Sequence, residues 1–171
     1  MTTKQQTSKE YFRTLKLIYY AMIASQLFFG IVFIILVQGG QINTSQEDLK
    51  DIFNYVVPLF IVGGIFGSNR MFLTLVKDSK RIENLPDKMA GYQTAIIVRY
   101  AFLQAPFFFS LVVYLLTGGV LFLGLAGVIV VVFLTIKPTI ERAARDLDLN
   151  LNDKQAINDP NRIIAELKIE R

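Results

Sequence analysis

Leu17 to Val37 (LIYYAMIASQLFFGIVFIILV) is a run of 21 residues without one charged side chain. A bilayer's hydrocarbon core, about 30 Å thick, is crossed by roughly 20 such residues in a helix. A secretory signal has a shorter apolar core and a small-residue cleavage site. The run is therefore predicted to stay in the chain as a first transmembrane helix. Three more follow: about 52–76, with Pro58 and the stretch GGIFGSNR; about 92–116, with Arg99, Gln104 and Pro106; and 120–136, the most purely aliphatic. The predicted fold class is an all-α membrane protein. Its four transmembrane helices form two tandem parallel helical hairpins, followed by a cytoplasmic helical tail.

The connecting segments predict the orientation. Residues 1–16 carry Lys4, Lys9, Arg13 and Lys16, the link 77–91 carries Lys77, Lys80, Arg81 and Lys88, and the tail 137–171 opens with Lys137, Arg142 and Arg145. The loop 38–51 has only Lys50 against Glu47, Asp48 and Asp51, and the Thr117–Gly119 turn has no charge. Cytoplasmic loops are enriched in Lys and Arg. Both termini are therefore expected in the cytoplasm, and the protein is expected as a multi-pass component of the cell inner (plasma) membrane. Tyr19, Tyr20, Tyr92 and Tyr100 mark the inner boundary and Tyr55 and Tyr114 the outer one, as aromatic belts do. The net charge of +4 is read as topology and lipid contact, not nucleic-acid binding.

Local signals place the elements between the spans. Gly39-Gly40 breaks the first helix, and Thr44-Ser45-Gln46-Glu47 reads as a capping box for the second. Asn43-Thr44-Ser45 also matches a glycosylation sequon, a pattern common by chance. In the tail, Ile140, Ala143, Ala144 and Leu147 fall on one helical face. Asp159-Pro160 predicts an N-cap and first helical position for a last helix through Ile163, Ile164 and Leu167.

Spans one and three align at an offset of 80: residues 20–39 on 100–119 give seven identities in 20 positions, Tyr20/Tyr100, Phe28/Phe108 and Gly39/Gly119 among them. Phe72-Leu73-Thr74 repeats as Phe133-Leu134-Thr135. This pattern predicts an internal repeat of two hairpins in parallel orientation.

The absences narrow the chemistry. With no Cys and no His, disulfides, thiolate or imidazole metal sites and His-based acid–base catalysis are excluded. No span contains Asp or Glu, which argues against a carboxylate proton relay. No phosphate-binding glycine loop or nucleophile elbow is present. No cofactor and no catalytic residue is predicted.

The polar residues within the spans are the candidate site. Asn69, Arg70, Arg99 and Gln104 form a candidate polar, anion or lipid-contact site near the inner face; alternatively, the two arginines snorkel to the interface. Gln26, Gln104 and Ser110 can bond between helices, and Gly63/Gly67 forms a G-x-x-x-G pattern that permits close helix packing, within the chain or to a partner.

The segments FLTIKPTIERAARDLDLN (133–150) and INDP (157–160), with the overall layout, resemble small four-helix bacterial inner-membrane proteins of unassigned activity. The resemblance implies the membrane location and no functional residues. The expected function is a non-catalytic accessory or structural subunit that packs against other membrane-protein subunits or self-associates in the lipid bilayer. The alternative is a small transporter or channel for an anionic or neutral solute.

Overall fold

A computed structural model describes residues 2–40 and 47–169. The expected capping box and sequon at 43–47 lie largely outside the described residues. In chain order the elements are β1 (Thr2–Thr7), α1 (Ser8–Gln38), α2 (Glu47–Lys80), α3 (Leu85–Thr117), α4 (Val120–Thr135), α5 (Ile140–Asp146), α6 (Leu151–Asn158) and β2 (Ile163–Ile169). Helices α1, α2 and α3, of 31, 34 and 33 residues, are long and apolar enough to cross a membrane. Helix α4 has 16 residues and passes the same test only when α5 is counted with it. At 1.5 Å per residue the three long helices measure roughly 47–51 Å, well beyond the ~30 Å hydrocarbon thickness.

The long helices are divided between two compact units. Unit 1 comprises Met1–Tyr19, Arg70–Arg99 and Lys137–Arg171; unit 2 comprises Tyr20–Asn69 and Tyr100–Ile136. Every Lys and Arg of the chain except Lys50 belongs to unit 1.

In unit 2 the contacts give the helix directions. Gln26 meets Gln104 and Phe29 meets Phe108, so α1 and α3 advance the same way. Phe60 meets Phe109 and Gly67 faces Phe102, so α2 runs opposite to α3. Gly118, at φ +64°, supplies the left-handed residue that turns the chain from α3 into α4. Helix α4 buries Phe122, Ala126, Ile129 and Phe133, a stripe at intervals of four, three and four. Tyr100 stacks on Phe133 and donates its hydroxyl to the Ile136 carbonyl at the end of α4. Neither Pro58 nor Pro106 ends its helix.

Unit 1 corrects the expectation of an all-α chain. Thr2–Thr7 and Ile163–Ile169 are strands, paired antiparallel as Thr2↔Ile169 through Thr7↔Ile163. The expected last helix is therefore β2. Asp159 does not start that helix. It closes α6, its N–H bonding to the Gln155 carbonyl, and its carboxylate accepts from the Asn161 N–H in an Asx turn. The sequence Ile163-Ile164-Ala165-Glu166-Leu167 suits helical spacing and strand alternation equally, and the partner strand decides between them. A bulge between Gln6 and Thr7 leaves Ile164 as the extra residue, and it is fully buried beside Ala165. The tail helices do form. Thr139 caps α5 by accepting from the Arg142 N–H, and Asn150 caps α6 by accepting from the Asp153 N–H. Ala143 and Leu147 are buried, on the face expected for them.

A two-stranded sheet is marginal without packing, so the buried Ile164 side chain is a main support of this one. Ile164→Ala is expected to destabilise unit 1 by about 2–4 kcal/mol. Hydrogen exchange on the detergent-solubilised protein should then speed up at residues 2–7 as much as at 163–169. Unchanged protection of residues 2–7 would refute the pairing's dependence on that side chain.

Candidate functional site

The four polar residues singled out in the spans do not share one environment. Asn69 and Arg70 are both exposed on α2. Arg99, on α3 in unit 1, is half-buried, with its guanidinium carbon 4.5 Å from the centre of the Phe72 ring. This is cation–π distance, and the Phe72 ring in turn makes a T-shaped contact with Tyr92, centroids 6.2 Å apart. Gln104, in unit 2, is buried and accepts from the Gln26 side-chain amide at 3.3 Å. Its own amide nitrogen points to the Met22 carbonyl and sulfur, at 3.4 and 3.2 Å.

Each position follows from its helix. Gln26 is the one strongly polar side chain in the middle of α1, and it is 1% exposed. Burying an amide in an apolar setting is unfavourable without a partner, and the parallel alignment of α1 with α3 supplies one in Gln104. Such an interhelical bond contributes about 0.6 kcal/mol on average. Ser110 takes the local alternative and donates to the Pro106 carbonyl one turn back.

The small residues of α2 also sort by face. A Cβ at Gly64 would stand 2.7 Å from Cγ of Pro106, and one at Gly67 would meet the Phe102 ring at 3.5 Å. At Gly63 it would meet nothing within 4 Å. Within the chain, then, the close approach of α2 to α3 uses Gly64 and Gly67, three residues apart, with Pro106 seated in the gap. Gly63, the first member of the expected G-x-x-x-G pair, faces away. A G-x-x-x-G reading selects positions four apart and overlooks a glycine whose partner is a proline ring.

Unit 1 contains polar architecture that reading the spans missed. Tyr11 donates to the Met89 carbonyl at 2.7 Å and Tyr92 to the Asp146 carboxylate at 3.1 Å, tying α1 to α3 and α3 to α5. Both rings are almost completely buried. Gly91 of α3 lies directly against the Ser79 hydroxyl of α2. Ser8 donates its hydroxyl to the Ile157 carbonyl, fixing the start of α1 to α6. The exposed carboxyl of Glu141 is held below the ordinary carboxylate range by the backbone of its own helical turn and then by the Thr139 hydroxyl. Tyr92 was visible in the sequence as a boundary marker and Tyr11 was not singled out; their hydroxyl partners lie 54 and 78 positions away and leave no local signal.

Among the described residues no group of three or more acidic side chains could hold a metal ion. Compared with protein families, with curated proteins and with solved structures, the chain matches none.

The glycine contacts make opposite forecasts for neighbouring positions. Gly64→Ala should overpack against Pro106 and cost about 1–3 kcal/mol, lowering the melting temperature in detergent. Gly63→Ala should leave it unchanged or slightly raised, because alanine favours the helix. Equal melting temperatures for the two variants would contradict the assigned packing face.

Proposed function

We propose that this protein is a non-catalytic accessory subunit of the cell inner membrane. In this reading four spans form two hairpins related by internal duplication, with both termini in the cytoplasm. The gathering of every cation but Lys50 into unit 1 supports that orientation. The same-way run of α1 and α3, opposed by α2, supports a pair of hairpins in parallel.

The observation that carries the accessory role is the exposure of Asn69 and Arg70 on α2. Arg70 lies seven residues before Lys77, roughly 10 Å along the helix and inside the apolar stretch. Lipid covers exposed apolar residues such as Leu59, Phe66 and Leu73 at no cost, but it cannot satisfy an amide and a guanidinium. An arginine at membrane depth disfavours insertion by about 2.5–3.5 kcal/mol on translocon-insertion scales unless it finds a partner or snorkels. A polar or acidic group on a second chain would provide one. The solute-transport reading has less support, because Arg99 is engaged on Phe72 and Gln104 on Gln26.

Mild-detergent extraction from native membranes should yield a stoichiometric complex, with a partner or with further copies of the chain. Asn69→Leu with Arg70→Leu should release a monodisperse, folded monomer. A wild-type monomer in several mild detergents would refute the role. Topology has its own test, since the chain lacks cysteine. In intact cells Ser45→Cys should react with a membrane-impermeant maleimide and Asn84→Cys should not; the reverse pattern would invert the orientation.

A further inference from the structure

Unit 1 contains a cavity of about 480 Å³ where the last turns of α2 meet α5. One wall is Phe72, Leu73 and Val76; the rim is Lys77, Lys80 and Arg145, with Asp146 beside them. We propose that this cavity binds a phosphate-bearing anion, specifically the head group of an anionic phospholipid whose acyl chain lies along the apolar wall of α2.

The charge balance asks for an anion. Three cations from two different elements converge on one cavity, and all three are exposed. The single carboxylate among them, Asp146, already accepts from the Tyr92 hydroxyl. Like charges gathered this way repel unless a counter-charge sits between them. Arg145 provides a planar fork that matches phosphate oxygens, and the lysines supply point charges.

The apolar wall distinguishes a lipid from a free ion. Phe72, Leu73, Val76, Lys77 and Lys80 fall on one side of α2 at spacings of one, three, one and three. Going from Phe72 to Lys80, the helix passes from the apolar stretch into the basic flank over roughly 12 Å. Leu73 is 54% exposed beside the cations, so the surface above the rim is open to an acyl chain. A soluble phosphate would need only the rim.

Unit 1 also supplies an internal control. A second cavity, of about 410 Å³, carries Lys9, Arg13 and Lys16 on successive turns of α1, walled by Phe12, Ile140 and Pro160. It has the same number of cations, but they precede the apolar run of α1 that starts at Leu17, and no wall residue lies in that run.

The inference rests on α2 being a span whose inner end is Lys77. Native mass spectrometry tests it on full-length protein extracted in mild detergent and offered mixtures of phosphatidylglycerol, cardiolipin and phosphatidylcholine. The wild type should retain an anionic lipid over phosphatidylcholine by about tenfold or more. Lys77→Gln with Lys80→Gln and Arg145→Gln should remove most of that preference. Lys9→Gln with Arg13→Gln and Lys16→Gln should leave it nearly intact. Equal loss in both triple variants would overturn the site in favour of diffuse attraction. No preference in the wild type would also overturn it, as would stabilisation by millimolar inorganic phosphate equal to that by lipid. The cysteine-labelling pattern is read separately. If it holds while lipid selectivity fails, only this inference falls; if it inverts, the topology falls with it.

Discussion

The pairing of residues 2–7 with residues 163–169 closes unit 1, and the rest of that unit depends on it. Closing a loop of about 160 residues carries an entropic penalty that grows only slowly with length, but two strands alone do not offset it. The compensation is packing. Ile164, Ala165 and Ile157 are buried, and Ser8 at the start of α1 reaches the Ile157 carbonyl. The Ser8 and Lys9 amides bond to the Arg162 and Pro160 carbonyls, so the strand pair continues directly into the first turn of α1. Tyr11 and Tyr92 then extend the connection to α3 and α5 through two buried hydroxyls, each worth about 1 kcal/mol.

Unit 2 is held on different terms. Where lipid already surrounds apolar side chains, association of helices relies on close packing and on hydrogen bonds rather than on the hydrophobic effect. Both are present: Pro106 sits in the gap left by Gly64, Phe109 packs edge-on against Phe53 and Phe60, and Gln26 joins Gln104. The apolar surface of α1, with Leu17, Leu27, Phe28, Ile31 and Ile35 exposed, is what such a helix presents to acyl chains.

The long helices were legible because a run such as 17–37 has few other structures open to it. The caps of α5 and α6 come from residue types that favour those positions, Thr139 and Asn150, beside faces readable from Ala143 and Leu147. The strands were not legible. Thr2–Thr7 is polar with no alternation of apolar residues, and Ile163–Ile169 fits either period. Only the partner across the whole chain resolves that ambiguity, and a local window cannot contain it. Of the site residues, the sequence marked which side chains are polar at membrane depth, yet depth alone does not say which face they occupy. Arg70 and Arg99 carry the same charge; one is exposed and the other rests on Phe72 because of the rotation of each helix and the aromatic beside it. The Lys77, Lys80 and Arg145 cluster escaped notice because its cations come from segments 65 residues apart, each of which reads alone as an ordinary basic flank.

The strand pairing also imposes an order on biosynthesis. β1 is made about 160 residues before its partner, a wait of roughly 8–30 s at 5–20 residues per second. Throughout that interval the hydrogen-bonding groups of residues 2–7 are without their native partners, while the apolar helices leave the ribosome and enter the bilayer. A chain interrupted between the end of α4 and residue 163 has all of its long apolar helices but cannot complete unit 1. The strand pair thus registers that synthesis has passed β2, because only from that point do the groups of β1 have their native partners.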